Sequence, residues 1–392
     1  MNICIITSSF PSNPHDVVQA PFLIDFIEGL IKRDHRVFVF TQDREGEKKE
    51  FLKGVRVNWF PWLKSKRPLV QLNPLNPLDC LRIWNLLQNG KKALVPFVRE
   101  NRVDACLGVW VLPSGYFANN VYQRTGIPYS VWALGSDIYR YGRVPLLSSM
   151  MKRIIHEAKG VFADGFDLSV RVEKRFEKKC FFLATTRTIS SPPIPEGGGR
   201  EVSADKVYRF LFVGRIEKVK GIDLLLQSMA LLIAEGLDVH LTIVGKGRLE
   251  EWGKNFVRKN GMGERVEWKG NVSDEELALL YVSSDCVVIP SRSESIPLVF
   301  SEALKFDREL IVTDVGDMGR LGRQYGVAWV IPPEDLMGLK TIMKKRVESH
   351  DHEKVDGEEV KRKRTELKKL FDIETSVERF LADYLSSPSF PL

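Results

Sequence analysis

The sequence predicts an α/β protein with two doubly wound domains, and three observations support this fold class. Short apolar runs alternate with amphipathic helical patterns, which is typical of parallel sheets covered by helices. The alternation breaks at 190–200, a stretch rich in Pro, Gly and Ser, and then starts again. A chain of 392 residues is also longer than one typical core. We therefore expect domains over 1–192 and 205–370, with a ligand site in the cleft between them.

The first half begins with a βαβ pattern. The apolar run 3–6 predicts a strand, and Pro21 fits the first turn of the next helix because its missing N–H costs nothing there. Leu23, Phe26, Ile27 and Leu30 form one apolar stripe on that helix. Apolar residues recur at strand or helix spacing in the segments that follow. Further strands are predicted at 37–40, 55–60, 103–111, 129–134 and 160–164, and further helices at 79–99, from 113, at 144–158 and at 166–177.

The second half repeats this alternation. Ser273 followed by Glu276 has the spacing of a capping box and predicts a helix start. The charged stretch 343–370 predicts a solvated helix or loop. Strands are predicted at 209–214, 239–245, 265–270, 286–290, 309–315 and 328–331, and helices at 221–236, at 248–260, after Ser273, from about 295–297 and around Val377, Phe380, Leu381 and Tyr384.

Composition limits the function classes. The net charge of +7 and the pI near 9.0 suit nucleic acid, anionic lipid or phosphorylated substrates, but no nucleic-acid motif accompanies them. No apolar run is long enough to span a bilayer, and the N-terminus enters a strand pattern without the basic region of a signal peptide. The five cysteines are scattered, which fits a reducing cytoplasm.

The segment 61–78 mixes Trp, Leu, Lys, Arg and Pro. An aromatic and basic surface of this kind suits a loop that contacts a substrate, which in a transferase would be the acceptor, or peripheral contact with an anionic membrane. An irregular loop that covers the sheet is the alternative, and we favour it for an isolated segment.

A glycine-rich basic turn follows the strand at 209–214. Gly214 lets the backbone approach a ligand, and Arg215 and Lys220 bring two cations to the same strand end. Such cations stabilise a departing diphosphate, whereas the alternative is a solvated basic turn. Neither a Walker motif nor an Asp-x-Asp sequence is present, so we expect neither a cofactor nor a metal-held diphosphate. Gly245 lies in a second close turn, VGKG.

Two glutamates flank the start of the helix predicted from 295–297. Glu294 lies in the loop before it, and Glu302 lies among apolar residues within it. The free N–H groups of Ser295, Ile296 and Leu298 suit an anionic or hydroxyl-rich ligand. A buried carboxylate needs partners, and for Glu302 these are either ligand hydroxyls or a nearby Lys or Arg.

This pattern resembles the donor-site signature of retaining glycosyltransferases of family 4, which have the GT-B fold. The matching residues are Glu294-x7-Glu302 within PS-x-SE-x-x-P-L-x-x-x-EAL. The resemblance implies metal-independent transfer of a sugar from a nucleotide-sugar donor to a glycan, lipid or small-molecule hydroxyl. It also implies that a last helix, at about 374–392, returns to the first domain. The implied catalytic residues are Glu294, Arg215 and Lys220, and the implied donor-binding residues are Gly214, Gly245, Val272, Ser295, Ile296, Pro297, Leu298 and Glu302.

The sequence departs from the family at several positions. Gln19 and Ala20 stand on the acceptor side where Gly is usual, Leu107, Val109 and Leu134 stand where histidines are common, and Ser295 and Ile296 replace Gly and Phe. Gly135 and Asp137 are expected on the acceptor side, with a helix or turn cap as the alternative for Asp137. A sugar-nucleotide epimerase of the same fold and a catalytically degenerate nucleotide-sugar-binding protein remain alternatives.

Overall fold

The computed structural model describes residues 1–12, 19–44, 52–65, 69, 72–73, 76–189, 207–349 and 358–386. The chain divides into two compact units, one made of Met1–Arg187 with Ile373–Leu392 and the other of Thr188–Asp372. The linker predicted at 190–200 lies outside the described residues, and the segment 61–78 is described only in part.

The first unit is built on a seven-stranded parallel sheet with the strand order β3-β2-β1-β4-β5-β6-β7. Its inner strands are buried because their side chains are apolar on both faces. The chain order reverses between β1 and β4, where parallel sheets of this kind bind ligands. The strands are β1 (Asn2–Thr7), β2 (Arg36–Gln42), β3 (Arg56–Phe60), β4 (Ala105–Val109), β5 (Tyr129–Ala133), β6 (Gly160–Ala163) and β7 (Phe181–Phe182).

Helices cover this sheet, and the last helix of the chain is one of them. Phe380 on that helix contacts the rings of Phe26 and Phe162, with centroid separations of 5.5 Å in both pairs. Gly29 leaves room for Val377, whose Cγ2 would lie 2.7 Å from a Cβ added there. The helices are α1 (Phe22–Ile31), α2 (Pro77–Glu100), α3 (Tyr116–Thr125), α4 (Ser136–Arg140), α5 (Pro145–Glu157), α6 (Phe166–Phe176) and, at the end of the chain, α14 (Ile373–Ser386).

The second unit is built on a six-stranded parallel sheet with the strand order β10-β9-β8-β11-β12-β13. The chain order reverses between β8 and β11, so the loops after these two strands border the expected ligand position. The strands are β8 (Tyr208–Val213), β9 (Val239–Val244), β10 (Val266–Gly270), β11 (Cys286–Ile289), β12 (Glu309–Thr313) and β13 (Trp329–Ile331). The predicted α/β class with two doubly wound sheets is confirmed.

The helices of the second unit correct three expectations. The helix predicted from 295–297 begins at Leu298, with Pro297 in an extended conformation as its N-cap. The described parts of the charged stretch 343–370 are mainly helical, as one of the two predicted forms, but they are not wholly solvated, because Met343 and Leu367 are buried. The helix at 318–325 was not predicted, since glycines interrupt its pattern, and the helix after it begins at Leu336, before the predicted stretch. The helices are α7 (Ile222–Ala234), α8 (Glu250–Lys259), α9 (Asp274–Ser283), α10 (Leu298–Lys305), the unpredicted α11 (Met318–Tyr325), α12 (Leu336–Glu348) and α13 (Glu358–Leu370).

Two smaller elements of the first unit, α4 and β7, were also not predicted, because each is too short to show a period. One of the two hydrogen bonds of the capping box predicted at the start of α9 is present: Ser273 Oγ accepts a hydrogen bond from the backbone N–H of Glu276 at 3.2 Å. Within the described residues, no helix is both long enough and apolar enough to cross a membrane.

Candidate functional site

Two of the predicted site residues meet where the chain order of the second sheet reverses. Lys220 lies at the end of the loop after β8, and Glu294 lies in the loop after β11. The Lys220 ammonium group forms an ion pair with Glu294 Oε1, and the two side chains are 20% and 12% exposed. The structure therefore brings a cation and a carboxylate together at one strand edge, in a setting that is largely but not fully shielded from water.

Glycines without room for a side chain hold these loops together. Gly221 has a φ of 72°, and a Cβ added there would lie 1.9 Å from the carbonyl oxygen of Pro290. Gly316, after β12, is similarly close to the backbone of the loop after β11. A Cβ added to Gly316 would lie 2.4 Å from the carbonyl oxygen of Glu294 and 2.4 Å from that of Ser295. Backbone packing against backbone thus fixes the position of Glu294.

Arg292 is a second support that the sequence analysis missed. Its guanidinium donates two hydrogen bonds to Asp223, at 2.7 and 2.9 Å, and two to Glu334, at 2.5 and 2.9 Å. It also bonds the carbonyl oxygen of Lys218. These contacts tie the loop after β11 to the start of α7 and to the loop before α12. No single sequence shows that these distant residues pair.

Two further basic residues lie in the loops after β8 and β9. Arg215 is exposed, and none of the described residues forms an ion pair or hydrogen bond with its guanidinium. Its turn packs on VGKG, because a Cβ on Gly245 would lie 2.0 Å from the carbonyl oxygen of Gly214. Lys246, which the sequence analysis did not single out, is also exposed and runs over Gly270, where an added Cβ would lie 3.3 Å from its Cε.

Glu302 is buried, as its apolar neighbours predicted. The Tyr281 hydroxyl donates a hydrogen bond to Glu302 Oε2 at 2.6 Å, and the Tyr281 ring stacks on Phe306 at a centroid separation of 5.1 Å. A protein hydroxyl is therefore among the partners of this carboxylate.

The residues between the two glutamates are packed tightly. Ile296 is buried, and the carbonyl oxygen of Ser295 accepts a hydrogen bond from the Asp317 N–H at 3.3 Å. The Ser295 hydroxyl is buried and finds no hydrogen-bond partner among the described residues. Val272, after β10, is also buried. An unsatisfied buried hydroxyl is uncommon and needs an explanation.

In the first unit, Asp137 has the contacts of a turn cap. It is fully buried, and its carboxylate accepts hydrogen bonds from the backbone N–H groups of Val111 at 2.7 Å and Leu134 at 3.3 Å. Burial raises the pKa of Asp137 to about 6, although the backbone donors act in the opposite direction. The cap alternative therefore describes its contacts, and a role toward an acceptor stays a prediction for Asp137 and the adjacent Gly135.

The other predicted acceptor-side residues lie in the loop after β1. Gln19 Oε1 accepts hydrogen bonds from Ser9 Oγ at 2.7 Å and from Arg44. Ala20 has a φ of 52°, the left-handed conformation that favours the glycine of the family. Leu107 is fully buried within β4, so this position belongs to the core of the sheet.

No group of three or more His, Cys, Asp or Glu side chains is arranged to hold a metal ion in the described parts of the chain. Basic side chains of the protein, among them Arg215, Lys220 and Lys246, lie in the loops at this edge. What the arrangement offers chemically is positive charge at a glycine-rich strand edge, with a carboxylate beside it.

The chain is similar to known glycosyltransferases. The profile of the family described as Glycosyl transferases group 1 matches residues 199–362. An uncharacterised glycosyltransferase of Methanocaldococcus jannaschii is 32% identical over 299 residues, which are 75% of this chain and 76% of that protein.

Solved structures share the fold of the whole chain. Sucrose-phosphate synthase from Thermosynechococcus elongatus is similar with a TM-score of 0.76 at 17% identity, over 98% of both chains. HepE of Anabaena, solved with UDP-glucose, is similar with a TM-score of 0.70 at 16% identity, over 99% of this chain and 100% of that one. These likenesses identify the fold as GT-B.

Replacing Gly221 with Ala should destabilise the second unit well beyond the effect of its positive φ. Gly236→Ala is the matched control, because Gly236 has a φ of 81° and no atom within 4 Å of an added Cβ. We expect the control to cost about 1 kcal/mol and Gly221→Ala at least about 2 kcal/mol more, since the Pro290 carbonyl must move. Urea unfolding followed by tryptophan fluorescence measures both, and equal losses would show that the loops are not packed in this way.

The buried carboxyl of Asp137 should make the first unit less stable as the pH rises. Its pKa is raised from 3.8 to about 6 on folding, so the protonated form is favoured in the folded state. Its contribution to stability is complete below pH 3.8 and is lost as the pH rises through about 6. Relative to Asp137→Asn, the wild type should lose about 2 to 3 kcal/mol between pH 4 and pH 7. Urea unfolding across this range tests the shift, and a constant difference between the two proteins would contradict it.

Proposed function

The chain belongs to the group 1 glycosyltransferases, and from this premise we propose that it is a retaining, metal-independent enzyme that uses a nucleotide-sugar donor. The observation that carries the proposal is the pairing of Lys220 with Glu294 at the switch point of the second sheet, with the exposed Arg215 in the same loop as Lys220. This is the edge at which open parallel sheets bind ligands.

The donor diphosphate binds Arg215 and Lys220 in this proposal. Its negative charge grows as the sugar departs, and two basic side chains already in contact with the bound diphosphate stabilise that charge as it forms. Gly214 and Gly245 keep the turn free of side chains, so the phosphates can approach the backbone. Metal independence is part of the proposal, because the cations supply the charge that a metal would otherwise bring.

Glu294 binds the donor sugar, and Glu302 binds the ribose hydroxyls. The loop after β11 places the backbone of Ser295 to Leu298 at the N-terminal end of α10, where free N–H groups suit a hydroxyl-rich ligand. The buried hydroxyl of Ser295 adds a donor and acceptor where the family has glycine. We propose that this hydroxyl alters the sugar preference.

Retention follows from the family resemblance. The bond between the anomeric carbon and the diphosphate oxygen breaks, and its electron pair stays with the diphosphate. The acceptor oxygen then bonds to the anomeric carbon on the same face of the sugar, and the acceptor proton passes to a diphosphate oxygen. Arg215 and Lys220 stabilise the leaving group throughout this step.

We propose a cytoplasmic enzyme that acts on a glycan, lipid or small-molecule hydroxyl, with peripheral contact to an anionic membrane. The five cysteines lie in described residues and form no disulfide, which suits a reducing compartment. Leu78 and Trp84 on the outer side of α2 are 64% and 59% exposed, a surface that would suit a membrane interface.

Replacing Arg215 or Lys220 with Ala should reduce donor turnover by about 100-fold or more, because each variant removes a charge that stabilises the leaving group. Lys218→Ala is the matched control, since Lys218 is an exposed lysine of the same turn with no assigned contact to the donor. A thermal-shift screen with UDP-, GDP- and ADP-sugars first identifies the donor through the rise in melting temperature.

Turnover is then measured as nucleoside diphosphate release with and without acceptor, and NMR gives the anomeric configuration of the product. Unchanged turnover in both variants would discard the assigned roles. An inverted product would exclude the retaining mechanism, and an epimerised donor formed without acceptor would indicate an epimerase instead.

A further inference from the structure

One oxygen of Glu294 carries both of its contacts. Glu294 Oε1 accepts a hydrogen bond from Ser291 Oγ at 2.9 Å, and it also forms the ion pair with Lys220. Oε2 has no hydrogen-bond partner among the described residues. The carboxylate is thus held by one oxygen and leaves the other available to a ligand.

Ser291 is itself held firmly. It is buried at the end of β11, and its carbonyl oxygen accepts a hydrogen bond from Thr313 Oγ1 at 2.5 Å. Gly316 packs on the peptide that follows Glu294. The hydroxyl of Ser291 therefore has a fixed position relative to the carboxylate, whereas the flexible Lys220 side chain does not.

The two donors to Oε1 differ in what happens when a diphosphate binds. Lys220 is attracted to the phosphates, which weakens its contact with Glu294. Ser291 carries no charge and has no part in diphosphate binding, so its hydrogen bond remains. A hydrogen bond to a charged group is worth more than one between neutral groups, so its loss should be measurable.

We propose that Ser291 is a positioning residue, which holds Glu294 Oε1 after Lys220 has turned to the diphosphate and so keeps Oε2 directed at a donor-sugar hydroxyl. The inference rests on the proposed function, since it requires a nucleotide-sugar donor. It assigns the sugar contact and the diphosphate contact to separable parts of the site.

The test compares free nucleotide with nucleotide sugar. Calorimetry measures the affinities of UDP, GDP and ADP and of UDP-glucose, GDP-mannose and ADP-glucose, and the pair that the wild type binds most tightly is then used with each variant. Ser291→Ala should weaken nucleotide-sugar binding by about 10-fold or more and change nucleoside diphosphate binding by less than about twofold. Ser291→Thr, which keeps the hydroxyl, should retain the wild-type preference for the nucleotide sugar over the free nucleoside diphosphate.

Ser301→Ala is the matched control, because Ser301 and Ser291 are both 1% exposed and, among the described residues, Ser301 Oγ donates its hydrogen bond to the Leu298 carbonyl within α10. It should leave both affinities unchanged. If the threonine variant does not fold, Ser291→Cys replaces it and should behave like Ser291→Ala, since a thiol of similar volume is a weak donor.

Equal losses of nucleotide and nucleotide-sugar affinity in Ser291→Ala, or no loss of either, would overturn the positioning role while leaving the proposed function intact. A wild type that binds none of the six probes would overturn the proposed function, and the inference with it. A wild type that binds nucleotides but gains nothing from the sugar would overturn the inference alone.

Discussion

The ion pair between Lys220 and Glu294 is the interaction on which the site depends. It joins the loops after β8 and β11, the two strands between which the chain order of the second sheet reverses. A partly buried ion pair adds little net stability, because desolvation offsets much of the attraction. Its consequence here is positional. It holds one amino group and one carboxyl group side by side at the strand edge where the sheet leaves room for a ligand.

The geometry around that pair is set by the backbone. Gly221 and Gly316 allow neighbouring strand-end loops to approach at distances that no side chain would permit. The Arg292 guanidinium also links the loop after β11 to the start of α7 through Asp223 and to the loop before α12 through Glu334. A functional side chain such as Lys220 can therefore give up its contact with another side chain and contact a ligand, while the loop that carries it stays in place. A loop backbone that is fixed before the ligand binds keeps the charged side chains close to their working positions, which preorganised electrostatic stabilisation requires.

The sequence could predict the fold because apolar runs and helical stripes are local, and nearly every long element follows them. It could also place Lys220 and Glu294 at strand ends, since parallel strands bring those ends to one edge. Their direct contact, and the Tyr281 partner of Glu302, depend on residues far apart in sequence. The unpredicted α11 shows the limit of local patterns: Gly319 and Gly322 lower its helix propensity, but they pack against Asp314 and Ala328, where a larger side chain would clash.

The most direct measurement is a crystal structure of the protein with the nucleoside diphosphate that it binds most tightly. The account predicts that phosphate oxygens lie within hydrogen-bonding distance of the Lys220 ammonium and the Arg215 guanidinium in the loop after β8. Lys220 should have moved away from Glu294, and Ser291 should still donate its hydrogen bond to Glu294. A diphosphate bound elsewhere, or bound at this edge with the Lys220–Glu294 pair intact and Arg215 uninvolved, would contradict the account.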